Sequence, residues 1–285
     1  VKSIETLVQD IRNRISSADP FDPEVVKTFS DSLAAMLASR LAETHGTPSL
    51  RLSNLGTPDR KLWYSINRPE SAERLPPSAR LKFLYGDIIE HTVLFLAAAS
   101  GHTVEFQQRE VDLYGVRGHI DAVIDGELVD VKSASSFSFK KFRDHGLERD
   151  DPFGYRTQLN GYLHGLTRDV STVRPDRAHF LAVDKTLGHI CLDTHPRIEV
   201  DYEQMVRDKR AMLAWPTPPS RCYSDVPDGK SGNRKLDLPC SYCSFKATCW
   251  PGLRVFQYSN RPVFLTAVKK QPQVDEITLE EAQED

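Results

Sequence analysis

The sequence predicts an α/β fold, with a mixed central sheet flanked by helices and, after it, a C-terminal module built on four cysteines. Three observations carry this. Stretches with helical and strand periodicity alternate through the middle of the chain in the order helix, three strands, helix, strand. Asp125-Gly126 stands between two alternating apolar stretches as a two-residue hairpin signal. Four of the five cysteines crowd between positions 222 and 249. The expected organisation is an N-terminal helical region over 1–75, an α/β core over 76–215, a cysteine-rich metal-binding module over 216–268 and a disordered acidic tail over 269–285.

Each element has a local reason. Ile4, Leu7, Val8, Ile11 and Ile15 recur at helical spacing, and a second helix follows Asp22-Pro23, suited to an N-cap and first turn, and runs to about Glu43. "TPSLRLSNLGTPDRKLWYSIN" reads as a loop entering a short aromatic segment. After Pro76-Pro77, "SARLKFLYGDIIEHTVLFLAAASG" reads as a long helix ended by Gly101, with a strand near Thr103–Val111 next. In "GHIDAVIDGELVDVKS", residues 118–133, apolar residues alternate on both sides of Asp125-Gly126, so two strands pair antiparallel. "PFGYRTQLNGYLHGL" is helical, "RAHFLAVDK" and "GHICLD" are strands, and Glu199–Leu213 is a helix. No internal repeat is apparent.

Composition narrows the functional classes. The chain has 285 residues and a net charge of −3, and its last eleven residues carry six acidic groups and no basic one, which leaves residues 1–274 at +3. That balance does not suit a strongly basic nucleic-acid coat, so any DNA contact comes from a local patch. No stretch approaches the ~18 apolar residues of a membrane span, and the start lacks a secretory pattern. A cytoplasmic protein with no membrane association is expected. Without a P-loop, any helicase would be a separate partner.

The hairpin carries the chemistry. Asp121 lies four residues before Asp125 and Asp130 four after Gly126, so the two carboxylates oppose each other across the ladder, and Asp130 shares a face with Lys132. Such charges on a half-buried sheet are costly unless a cation or ligand compensates them. Carboxylates suit a hard cation such as magnesium or manganese. The long helix places Glu90 before the hairpin as a third carboxylate, with Gly86 one turn earlier. The neighbouring His91 sits about 100° round the helix.

In order, "GDIIE", "GHID", "DVK" and "QLNGY" resemble the four motifs of the PD-(D/E)XK nuclease superfamily, in its RecB-type branch, across residues 80–165. The resemblance implies a restriction-endonuclease-like core and hydrolysis of DNA phosphodiester bonds. Asp121 and Asp130 would be metal ligands, with Glu90 completing the shell and the Val131 carbonyl adding a ligand. Lys132 would orient or deprotonate the attacking water and steady the developing charge. Gln158 and Tyr162, one helical turn apart, are expected beside the active site, Gln158 near the lysine or DNA backbone and Tyr162 packed on sugar or base. Lys140, Lys141 and Arg143, interleaved with Phe137, Phe139 and Phe142, have a composition suited to phosphate contact and base stacking, and equally to solvated lysines over core phenylalanines. Arg60 and Lys61 join them as candidate DNA contacts. The implied activity is an exonuclease on DNA ends or single strands in recombination, repair or replication, with DNA as partner and possible work beside a helicase or recombination protein. The alternatives are a structure-specific endonuclease or resolvase on the same core, and a non-catalytic DNA-binding module organised by the cysteines.

Cys191, alone in a strand, reads as buried. Cys222, Cys240, Cys243 and Cys249 have the spacing C-x17-C-x2-C-x5-C, which in a reducing compartment favours a metal over disulfides. "CSYCSFKATC" resembles the carboxy-terminal iron–sulfur triplet of RecB-type nucleases, including CRISPR-adaptation and helicase-nuclease members, which implies a 4Fe-4S cluster. The fourth cysteine of those relatives lies upstream of the nuclease motifs, where "TPDRKLWY" has none, and Cys222 stands in as the candidate fourth ligand. Four local thiolates suit tetrahedral zinc equally well.

Overall fold

A computed structural model describes residues 2–42, 47–74, 76–259 and 261–284. The chain divides into two compact units, one of residues 1–56 with 83–207 and the other of residues 57–82 with 208–285. The N-terminal helices therefore belong with the α/β core, and residues 57–75 with the cysteine-rich unit, in place of a separate region over 1–75.

The first unit opens with α1 (Leu7–Ser16), preceded by a 3-10 turn, and α2 (Pro23–Ala42). Asp22 accepts the Glu24 amide at 2.8 Å, as its place before Pro23 predicts. The expected end of α2 at Glu43 lies outside the described residues. Helix α3 (Asp59–Asn67) belongs to the second unit, and α4 (Pro77–Ala99) begins there and continues into the first. The strand expected over 103–111 is broken. It comprises β1 (Val104–Glu105) and then β2 (Glu110–Leu113), which pairs with β3 (Val116–His119) as a separate hairpin. Phe106 and Gln108, both left-handed at φ 55° and 54°, make the break.

Strands β4 (Ala122–Ile124) and β5 (Glu127–Ala134) form the expected hairpin, with Asp125 and Gly126 at φ 51° and 82° in the turn. After α5 (Ser136–Arg143) and α6 (Tyr155–Asp169) come β6 (Arg177–Asp184), β7 (Ile190–Pro196) and α7 (Tyr202–Leu213). The central sheet has the order β1-β4-β5-β6-β7, with β5 and β6 parallel and the other neighbours antiparallel. It is a mixed sheet flanked by helices. Val129 and Val131 pack on one side with Leu7, Ile11, Val93 and Leu94 of α1 and α4. Leu128 and Ala134 pack on the other with Phe139, Phe142, Leu159 and Leu163 of α5 and α6. The alternation in β5 therefore turns Asp130 and Lys132 toward the α6 side.

The second unit contains an antiparallel sheet of β8 (Val226–Pro227), β9 (Arg234–Lys235), β10 (Arg254–Tyr258), β11 (Arg261–Ala267) and β12 (Glu276–Ile277), in the order β12-β10-β11-β9-β8. Short helices α8 (Leu238–Ser241), α9 (Lys246–Cys249) and α10 (Glu281–Glu284) complete it. Trp63 donates to the Trp215 carbonyl at 3.1 Å and Tyr64 stacks on Phe245 at 5.6 Å, so the short aromatic segment that the loop enters is a helix with a buried aromatic face. The tail expected to be disordered forms β12 and α10. Ile277 pairs with Val255, Arg254 forms an ion pair with Glu276, and Leu279 and Ala282 pack on the core of Leu236, Val255 and Phe264. No helix among the described residues is long and apolar enough to cross a membrane.

Candidate active site

The register of the hairpin pairs Ala122 with Val129 and so sets Asp121 opposite Asp130 one step beyond the paired segment. Asp121 Oδ2 accepts the Val131 amide at 2.6 Å, which pins the carboxylate to β5. Asp130 is buried, is ion-paired to the Lys132 ammonium, and receives Gln158 Nε2 of α6 on Oδ1 at 3.2 Å. On α4, Glu90 accepts Gln108 Nε2 at 2.7 Å. His91 turns its ring back onto the Asp87 carbonyl at 3.0 Å, so Glu90 is the residue of this helix that addresses the carboxylates. Gly86, one turn earlier, runs over β5, where an added Cβ would stand 3.5 Å from Ser133 Oγ.

Electrostatics ties these side chains together. Burial, then Asp130, then Glu90 push the Asp121 pKa well above the ordinary carboxylate value. Glu90 is raised as well, by burial first and by Asp130. For Lys132, burial alone would lower the pKa, but Asp130 and Asp121 outweigh it and the ammonium is held above its ordinary value. Three carboxylates face one ammonium, an excess of two negative charges when all three are ionised. Among the described residues no three His, Cys, Asp or Glu side chains are drawn in around one point, and the chain's own donors hold the carboxylates instead. Hard oxygen donors with that excess charge match a divalent cation of the magnesium or manganese kind.

Several neighbours of the site were not singled out by the sequence. The Lys132 Nζ stands 5.2 Å from the Tyr155 ring centroid and 5.7 Å from that of Phe180. Tyr155 lies three residues before Gln158 on the same face of α6, a spacing that could have found it. Gln108 sits in an irregular turn and carries no periodic signal.

Other candidates fall elsewhere. Tyr162 is 3% exposed and packs in the core among Leu52, Val116 and Leu163, so its ring is placed against the interior and not on a sugar or base. Its hydroxyl is within reach of the His119 backbone and the Ser53 side chain. Phe139 and Phe142 are core residues of α5, whereas Phe137 is 69% exposed. Lys140 is exposed, Lys141 is ion-paired to Asp150, and Arg143 to Asp144 at 2.7 Å. Arg60 is committed inside the second unit, where it donates to the Pro219 carbonyl and, at 3.2 Å, to Cys249 Sγ, while Lys61 beside it is exposed.

In that second unit, burial first and then Cys243 and Cys249 push the Cys240 thiol up to about 11, and Cys243 is raised by burial and by Cys249. These three are in electrostatic reach of one another. Cys222 is exposed and is not among the groups that act on Cys240 or Cys243. Cys191 is half-buried against the first unit's core, and burial and Asp193 push its thiol up to about 12.

No protein-family model and no curated protein matches the chain. Among solved structures, the crystal structure of SSO0001 superposes with a TM-score of 0.42 at 18% identity, over 79% of this chain and 96% of that one. An alkaline exonuclease, LHK-Exo from Laribacter hongkongensis, superposes with a TM-score of 0.36 at 14% identity, over 56% of this chain and 88% of that one. Both scores lie below the level at which a shared fold is shown.

Proposed function

We propose that the chain is a magnesium- or manganese-dependent deoxyribonuclease that hydrolyses phosphodiester bonds at the site formed by Asp121, Asp130, Glu90 and Lys132. The observation that carries this reading is an ion pair between buried Asp130 and half-buried Lys132 in the company of two further carboxylates whose pKa values are raised by burial and mutual repulsion. Asp121, Asp130 and Glu90 would hold the cation, with the Val131 carbonyl beside them. When bound, the ion supplies an acidified water and charge neutralisation at the phosphate.

The chain's own groups do the rest. Gln158 and Gln108 hold Asp130 and Glu90 in place through hydrogen bonds, which spares the ligands an ordering cost on binding. Lys132, ion-paired to Asp130, would orient or deprotonate the attacking water and steady charge on the phosphate oxygens. The order of the four motifs supports DNA as substrate and action on ends or single strands. We also propose that Cys240, Cys243 and Cys249 hold a structural 4Fe-4S cluster or zinc ion, with Cys222 as fourth ligand after a local rearrangement.

The test is digestion of end-labelled single-stranded, blunt, nicked and circular DNA with and without magnesium. Cleavage should require the metal, start at ends, and disappear in Asp121→Ala and Asp130→Ala while the far-ultraviolet dichroism stays that of the wild type. Cleavage of circles would favour the endonuclease alternative. Binding without any metal-dependent cleavage would leave only a DNA-binding module.

A further inference from the structure

The second unit contains a cleft of about 520 Å³ that the nuclease reading does not use. It is lined by Arg74, by Lys82 near the start of α4, by Lys235 of β9, by Lys246 of α9 and by Arg261 of β11, with the carboxylates of Glu73 and Asp237. The acids on and around it are already committed. Glu73 is ion-paired to Lys246, Asp228 pairs with Lys235 at 3.0 Å, and Asp237 accepts the Leu238 amide at 2.7 Å as the cap of α8. Arg74, Lys82 and Arg261 pair with no carboxylate among the described residues. The positive excess of the cleft therefore rests on three side chains that are exposed and free to meet an anion. Tyr242, which also lines the cleft, is 70% exposed and presents an aromatic face to it.

We propose that this cleft is a second nucleic-acid site, taking single-stranded DNA with its phosphates on Arg74, Lys82 and Arg261 and a base on Tyr242. Unpaired cations beside one exposed ring are the combination that tracks a strand without reading its sequence. An acidic peptide would use the cations and leave Tyr242 unemployed. The choice of nucleic acid as occupant rests on the nuclease reading, although the site itself is separate from the carboxylate cluster. It would hold a strand independently of cleavage.

The experiment measures fluorescence anisotropy of an end-labelled oligothymidylate against the full-length chain carrying Asp130→Ala, so that the probe stays intact, across a series of salt concentrations. Loss of three phosphate contacts in Arg74→Ser/Lys82→Ser/Arg261→Ser should reduce the slope of log affinity against log salt by about 2, since each contact on a single strand contributes about 0.7. Tyr242→Ala should weaken binding about ten-fold and leave that slope unchanged. The three cations are exposed and make no ion pair among the described residues, so the triple variant should melt as its parent does. An unchanged slope with unchanged affinity in the triple variant would overturn the proposal. So would competition by polyglutamate as strong as that by unlabelled oligothymidylate, which would assign the cleft to an acidic peptide. Wild-type chain that leaves DNA intact in magnesium would sink the nuclease reading alone, because binding to the cleft is read without cleavage.

Discussion

Gly118→Ala tests the packing of α6, the helix that carries Gln158, against β3. A Cβ at position 118 would stand 2.7 Å from the Tyr162 hydroxyl, 2.9 Å from Tyr162 Cε1 and 2.9 Å from Leu52 Cβ. Optimal carbon contacts lie at about 3.5–4.0 Å, so all three distances are repulsive. Tyr162 and Leu52 are both buried in one cluster, and a Cβ is fixed to its own backbone, so neither neighbour can swing into solvent. A methyl group forced into a well-packed core costs about 1–3 kcal/mol, and with two immobile neighbours we expect the upper half, about 2–3 kcal/mol. Urea unfolding should show a lower midpoint with an unchanged slope. Adding Tyr162→Phe removes the 2.7 Å contact and leaves the two at 2.9 Å, so the double variant should recover only part of the loss. Gly118 is three residues from Asp121, and Tyr162 is one turn from Gln158, which bonds Asp130, so cleavage should fall as well. Stability within about 0.5 kcal/mol of the wild type, or full recovery in the double variant, would refute the packing argument.

Glu90→Gln should lower metal-dependent cleavage by more than about 100-fold, whereas His91→Ala, whose ring only caps the Asp87 carbonyl, should stay within about three-fold. A reversed order in a single-turnover assay would place the wrong helix residue at the site. At the start of β5, burial pushes the Glu127 pKa up, but hydrogen bonds from Arg177 at 2.7 and 2.8 Å and His179 at 2.7 Å win and hold it below the ordinary carboxylate value. A depressed folded pKa stabilises above the unfolded pKa and is lost as pH falls through the folded one, so from about pH 5 downward Glu127→Gln should lose less stability than the wild type. Equal losses in parallel acid titrations of the melting temperature would contradict this. Protein purified without oxygen should carry iron or zinc that Cys240→Ser, Cys243→Ser, Cys249→Ser and Cys222→Ser each reduce and Cys191→Ser does not, as metal analysis will show; full retention in Cys222→Ser would put the fourth ligand elsewhere.

What was legible in the sequence was what local chemistry decides. The Asp125-Gly126 turn needs only two residues that tolerate positive φ, and the alternation on either side sets the register that opposes Asp121 to Asp130. The long helix and α6 announce themselves by period. Elements decided by distant partners were hidden. Helix α3 buries Trp63 and Tyr64 against Trp215 and Phe245, more than a hundred residues away, so its aromatic run read only as a short segment after a loop. The tail read as solvated because the partner of Glu276, Arg254, lies upstream on another strand. Phe106 and Gln108 adopt left-handed backbone without glycine, and a tertiary bond compensates at Gln108, whose amide donates to the Asp121 carbonyl at 3.3 Å.

The same division runs through the site. The charged residues were found because charges on a strand whose opposite face is apolar must be compensated, whichever protein they are in. Of their two supports, Gln158 stood among the candidates, whereas Gln108, from a turn with no period, did not. Helical spacing did report that Gln158 and Tyr162 share a face, but spacing cannot say which end of a face is wet. Gly118 decides that. With no side chain at position 118, the Tyr162 ring can lie against β3, while Gln158, one turn earlier, comes within 3.2 Å of Asp130. Tyr162 is thus buried in the core one turn from Gln158. It follows that Tyr162→Phe should leave the Gln158–Asp130 contact and the cleavage rate nearly intact, whereas Tyr162→Ala should lower both stability and rate. A Phe variant as impaired as the Ala variant would mean that the hydroxyl, and not the ring, is what the site needs.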